Sequence, residues 1–208
     1  GIAGQNVAAL IEEITGLSCN SNLPLQVIHN EKVTIICLTQ NRVELITSVE
    51  NAPTLWEHSS QHANPIGASC WDWLDIQSGI PVILPETQEE FLPQMINLDA
   101  IGGVSFKKGC YPGQEIVART QYLGKLKRRM FLAHIATAAA VKAGDVLYSI
   151  DMDGQSSGNV INAAASPNGG FDILAVIQQS SVDSCQIHWQ SLQGPVLEIK
   201  LLPYSLPA

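Results

Sequence analysis

Long apolar runs are missing from this 208-residue chain. None approaches the roughly 18 to 20 residues that cross a bilayer, and dense patches such as Val33 to Leu38 have the length of buried strands, so a membrane span is excluded. Also missing after Gly1 is a basic stretch followed by an apolar one; no secretory signal is read there, and the cytoplasm is the expected compartment. Cysteine is scarce. Cys19, Cys37, Cys70, Cys110 and Cys185 are odd in number and too far apart for a CxxC metal knuckle or a locally paired framework. Reduced thiols are expected, and no metal site. Charged residues make up only 14% against 46% hydrophobic ones, with a mean hydropathy of +0.12. That balance excludes disorder and fits one or two core-forming domains.

Basic residues are few and unevenly placed. Lys107, Lys108, Arg119, Lys125, Lys127, Arg128 and Arg129 are seven of the eleven, and only Glu115 opposes them, so residues 107–129 carry +6 within a chain of net charge −8. An anionic ligand would meet the protein there. A solvated loop and strand edge whose charges deter aggregation accounts for such a run equally well when it is taken alone.

Hydrophobic periodicity organises the rest. Val7, Leu10, Ile11 and Ile14 recur at helical spacing, with Glu12 and Glu13 opposite and Gly16 placed to end the turn. Leu25 to His29, Lys32 to Leu38 and Arg42 to Ser48 read as strands, and Asn51 with Pro53 reads as the start of a helix to about Gln61. Pro65 and Gly67 break the pattern, so a boundary is placed near the stretch from His62 to Gly79. Beyond residue 129, runs at Met130 to Ile135, Val146 to Ile150, Asn159 to Asn162, Ile173 to Ile177, Cys185 to Trp189 and Val196 to Leu201 predict six short strands and a small barrel.

The chemistry concentrates in Lys107-Lys-Gly-Cys-Tyr-Pro-Gly-Gln-Glu115, approached through Ile101-Gly-Gly-Val-Ser-Phe106. A thiol beside two ammonium groups has its thiolate favoured, which makes Cys110 the candidate reactive cysteine. Glycines at 109 and 113 let backbone amides come close to a ligand or a facing strand. The alternative stays open on local chemistry: the glycines serve a turn, Cys110 is buried, and Gln114 and Glu115 begin a helix whose N-terminus favours an acid.

The run from Asn97-Leu98 through Gly102-Gly-Val-Ser-Phe-Lys-Lys-Gly-Cys-Tyr111 to Gly113-Gln-Glu115 and Val117-Ala-Arg119 resembles the signature of the YgfZ family of folate-binding proteins. The resemblance extends to Ser78-Gly-Ile-Pro-Val-Ile83, Phe91-Leu-Pro-Gln94, Gly1-Ile-Ala-Gly4 and Leu202-Pro-Tyr-Ser-Leu206, so it spans the chain. It implies an α+β, partial aminomethyltransferase-like fold related to the glycine cleavage T-protein. Its expected parts are a ferredoxin-like region over 1–75, a connecting segment over 76–129 that packs on a missing first domain, and a C-terminal antiparallel β-barrel over 130–208. Family members carry on the order of a hundred residues, a domain's worth, before the position matching Gly1, so the chain is expected to be a C-terminal fragment. The implied function is folate-linked support of iron–sulfur enzymes, including tRNA-modifying ones, with tetrahydrofolate or another folate as cofactor. Cys110 would be the working thiol beside Lys108 and Glu115, and Lys107, Lys108, Gly109, Tyr111, Gly113, Gln114 and Arg119 would bind the cofactor. Transferase relatives have a carboxylate-bearing "KxDFxGxE" stretch where this chain has Lys108-Gly-Cys-Tyr111, and a thiol there changes the chemistry on offer. Two other readings are carried along, a tetrahydrofolate-dependent aminomethyl transferase and a module that binds tRNA or a protein. Iron–sulfur clients are expected partners; direct tRNA binding and a membrane are not.

Trp71 and Trp73, near Asp72 and Asp75, could wall a pterin, but paired tryptophans serve more often as core anchors. His58 and His62 have two-ligand spacing without a third donor nearby and read as a solvated helix face. Glu86, Glu89 and Glu90 read as an exposed acidic loop.

Overall fold

The computed structural model describes residues 1–19, 25–109, 111–124 and 126–207. The chain divides into two compact units, Gly1–Gly67 and Ala68–Ala208. The connecting segment 76–129 therefore shares its unit with the strands that follow it, and the division falls within the stretch where Pro65 and Gly67 interrupt the pattern.

The first unit is a four-stranded antiparallel sheet with two helices. Its strands are β1 (Ile2–Ala3), β2 (Gln26–His29), β3 (Val33–Thr39) and β4 (Arg42–Thr47), in the order β1-β4-β3-β2. Alternation along β3 sends Val33, Ile35 and Cys37 to one face, where they meet Val7 and Ile11 of α1 (Val7–Thr15). Each such buried side chain is worth about 1.5–3 kcal/mol. Gly16 ends α1 in the left-handed region at φ 70°, as its position after the last turn predicts. Pro53 lies in the first turn of α2 (Ala52–His62), where its missing N–H costs nothing.

Cys19 and Cys37 are paired as a disulfide, their Cα atoms 6.8 Å apart. This corrects the expectation of reduced thiols: the residues that follow α1 meet β3 only through the tertiary fold, so spacing along the chain hides the pair. Cys70 is free and exposed, and Cys185 is free and half-buried.

The second unit is built on a curled six-stranded antiparallel sheet. Its strands are β5 (Arg128–Ile135), β6 (Val146–Tyr148), β7 (Ser156–Ala165), β8 (Phe171–Gln178), β9 (His188–Trp189) and β10 (Leu197–Lys200), in the order β10-β5-β8-β7-β6-β9. All six runs read as strands in the sequence contain one. Register shifts in β6 and β7 bend the sheet, and one bridge, His188 with Val196, links the β9 and β10 sides. Gly158 is pressed against β8 so closely that a Cβ would collide with the Val176 carbonyl oxygen. Central strand β8 is buried on both faces. Ile173, Ala175 and Ile177 fill the inside of the curl with Ala133, Ile135 and Leu147. Leu174 and Val176 meet Met130, Leu132, Ile161, Ile96 and Ile76 on the outside, beneath α3 (Ala68–Gln77). Among the described residues no helix is long and apolar enough to cross a membrane.

Candidate functional site

The described residues of the signature from Lys107 to Arg119 lie on α4 (Gln114–Leu123) and the loop before it, exposed or half-buried except for Val117. Gly113 turns the chain into the helix at φ 83°, a conformation that favours glycine, and no side chain caps that end. The Gln114 side-chain oxygen reaches back to accept the Tyr111 N–H at 3.3 Å, and the Gln114 N–H donates to the Tyr111 carbonyl at the same distance. Glu115 lies in the first turn, where its charge favours the helix dipole. Two of the three parts of the local alternative, the turn at Gly113 and the helix from Gln114, are present, and the third, a buried Cys110, falls outside the described residues. Phe106 meets Tyr122 edge to face, ring centroids 6.2 Å apart, fastening the loop to the helix it precedes.

Lys107, Lys108, Gly109, Tyr111, Gly113, Glu115 and Arg119 are exposed, and Gln114 is half-buried. The structure thus brings the expected site residues onto one loop and helix start. Cys110 and Lys125 lie outside the described residues. Among the described residues no ion pair joins Lys108 to Glu115.

Arg129 does not belong with the exposed cations. It is buried, and its guanidinium donates from Nη1 to Asp99 Oδ1 at 2.7 Å and from Nη2 to Asp99 Oδ2 at 3.0 Å. Nη1 also donates to the Gln94 carbonyl at 2.8 Å, a geometry only arginine's planar fork allows. Around this pair the scattered motifs converge. Asn97, fully buried and left-handed at φ 60°, donates its amide to the Met130 carbonyl at 2.9 Å and to the Tyr204 hydroxyl at 3.5 Å. Tyr204 in turn donates to the Gly79 carbonyl at 2.8 Å, its ring lying where a Cβ on Gly79 would have to go. Burial pushes the Tyr204 hydroxyl above its ordinary pKa, with the Asn97 hydrogen bond and the Arg129 charge pulling the other way. Gly79, Gln94, Asn97, Asp99, Arg129 and Tyr204 come from segments up to 125 residues apart, which is why local spacing did not reveal the network.

A second polar cluster was likewise missed. Asp172, on the outer face of β8, is buried and accepts four donors. They are Trp73 Nε1 at 2.7 Å, Gln77 Nε2 at 3.1 Å, His134 Nδ1 at 2.8 Å and Lys200 Nζ at 2.9 Å. Burial by itself would raise the Asp172 carboxyl, but the hydrogen bonds from Trp73, Lys200 and His134 and the Lys200 charge more than offset it and hold the group below its ordinary value. Trp73 is a core anchor, packed against the outer cluster with its indole N–H on Asp172 rather than on Asp72 or Asp75. In the first unit, His62 lies 3.4 Å from Glu13 at the surface. A groove of about 540 Å³ there is lined by Ile14, Thr15, Lys32, Leu55 and His58 among others, and by no signature residue.

The fold of the described chain is aminomethyltransferase-like. It matches the glycine cleavage system aminomethyltransferase T from Bartonella henselae with a TM-score of 0.67 and 18% identity, over 94% of this chain and 56% of that one. Its curated relatives include the tRNA-modifying protein YgfZ of Yersinia enterocolitica, 31% identical over 207 residues, and those of Yersinia pestis and Yersinia pseudotuberculosis, each 30% identical over the same length. The chain is thus related to the YgfZ proteins along 99% of its own length, and it spans 63% of theirs. No family model matches it.

Proposed function

We propose that this chain is the signature-bearing part of a folate-binding, YgfZ-type protein that supports the maturation or repair of iron–sulfur enzymes, including ones that modify tRNA. The supporting observation is the division of labour within the signature region: Arg129, Gln94 and Asn97 are turned inward as a buried frame, while Lys107, Lys108, Tyr111 and Arg119 are left exposed. Exposed charge that the fold does not consume is available to a ligand. The donor set suits part of a folate. Two ammonium groups, a guanidinium and an uncapped glycine turn at a helix start match the carboxylates of a glutamyl tail. Lys107, Lys108 and Arg119 would hold that tail, with Gln114 and the backbone at Gly109, Tyr111 and Gly113 beside it, and folate when bound supplies a one-carbon carrier. Cys110 is the nucleophile or soft ligand on this reading, with Lys108 favouring its thiolate and Glu115 as a nearby acid or base.

A pterin ring needs enclosing walls, and the loop and α4 present an open surface. The wall is assigned to the part of the relatives that this chain does not span. Segment 76–129 would face it, because Val82, Ile83, Ile116 and Leu123 are large apolar side chains left exposed. The same reading takes the first unit as a ferredoxin-like middle region, the curled sheet as a barrel and the cytoplasm as the compartment. A one-carbon transferase is the second reading, favoured by the fold alone. A tRNA-binding module is less well supported, since Arg129 is withdrawn from the cationic stretch.

Calorimetric titration of tetrahydrofolate against this chain and against a protein of the relatives' full length tests the proposal. The longer protein should bind far better, and replacing Lys107 and Lys108 by alanine should weaken a polyglutamylated folate several-fold more than a monoglutamate. Equal affinity of both proteins would locate the site wholly within residues 1–208. Tight tRNA binding with a steep logarithmic salt dependence would promote the nucleic-acid reading instead.

A further inference from the structure

The geometry points to Gln94 as the positioning residue of the signature: one buried side-chain amide ties α4, and with it the Gly113–Gln114 turn, to the Arg129–Asp99 ion pair. Among the described residues little else fastens this helix inward. Val117 is its one buried residue, whereas Ile116 is 61% and Leu123 85% exposed. The Phe106–Tyr122 contact joins the helix to its own preceding loop and leaves both free to move together. Gln94, only 2% exposed, donates from Nε2 to the Val117 carbonyl at 2.7 Å, and its own main-chain carbonyl accepts the Arg129 guanidinium. One residue therefore has its side chain on the signature helix and its backbone on the buried ion pair.

The other half of the amide sharpens this reading. Gln94 Oε1 is buried and has no hydrogen-bond partner among the described residues. A buried acceptor left unsatisfied is unfavourable, and an apolar side chain of the same length would fill the space without it. What glutamine adds over methionine at this position is the donor to Val117. That the segment it holds matters to activity rests on the function proposed above; that Gln94 holds it does not.

Hydrogen exchange on the 208-residue chain reads the tether directly, because local opening of one element can be separated from global unfolding. In Gln94→Met, the amides of α4 should exchange at least about tenfold faster, while those of β5 and β8 keep their rates. Unchanged exchange in α4 would overturn the proposal, and so would equal acceleration in α4 and β8, which would make Gln94 a general stability residue. Should the variant not fold, the unsubstituted protein still decides. The Gln94 side-chain amide protons should be slow to exchange and show nuclear Overhauser contacts to Val117, and rapid exchange without such contacts would contradict the tether. Loss of α4 protection together with full support of iron–sulfur enzymes in cells would leave the tether standing and remove the functional reading of the signature.

Discussion

The exposed signature and the buried frame behind it are neighbours in sequence with opposite physics. Lys107, Lys108, Tyr111, Glu115 and Arg119 face solvent and make few internal bonds, whereas Asp99 and Arg129 on either side are locked into one another with four further polar groups around them. A like contrast recurs on the sheet, where Asp172 gathers donors from α3, β5 and β10. Buried charges must be paired and hydrogen-bonded to be tolerated, so such groups are committed to architecture. Charges left in water can be spent on a ligand.

The contrast breaks first at Asp172 if it is wrong. Removing this carboxylate in Asp172→Ala leaves Trp73, Gln77, His134 and Lys200 without their shared acceptor, and should lower the unfolding free energy by about 3–5 kcal/mol in urea denaturation. The pH dependence carries the same signature. Because the native carboxyl titrates below its unfolded value of about 3.9, its contribution is fully present above that pH and is lost as pH falls through the lower native pKa. The gap between the parent protein and Asp172→Asn should therefore be open at pH 7 and narrow at strongly acidic pH, as the native carboxyl becomes protonated. A gap that stays open in acid would mean that the ionised form is not what the four donors recognise.

Arg129 comes next. Arg129→Met strands the buried Asp99 carboxylate and should cost about 3 kcal/mol, while the pair Arg129→Met with Asp99→Leu should recover most of that loss. Additive losses in the double variant would show that the two side chains act independently and that the frame is not a unit.

Much of this architecture was legible beforehand because it is local. The stripe Val7, Ile11, Ile14 with its closing Gly16, the apolar runs of the second unit, and the glycine turn into Gln114 all follow from periodicity and backbone chemistry within a few residues. Helix α3 escaped because Asp72 and Asp75 interrupt any single apolar stripe among Trp71, Trp73, Leu74 and Ile76. The buried frame escaped for a different reason. Arg129 lies 30 to 35 residues beyond Gln94, Asn97 and Asp99, and Tyr204 lies 107 beyond Asn97, so their union is a property of the tertiary fold. Arg129 was read by charge as part of the cationic run, and only burial separates it from Lys127 and Arg128. The candidate site residues, by contrast, form a contiguous motif in the sequence, and those of them that are described lie on one loop and helix start.

The most direct measurement concerns Cys110, the thiol within the signature sequence. Cys110→Ser, introduced into the whole gene and expressed in a strain lacking the native protein, should fail to restore iron–sulfur enzyme activity. Its unfolding free energy should stay within about 0.5 kcal/mol of the parent, as a chemical rather than a packing role requires. Full restoration of activity by the serine protein would contradict the proposed role of the signature.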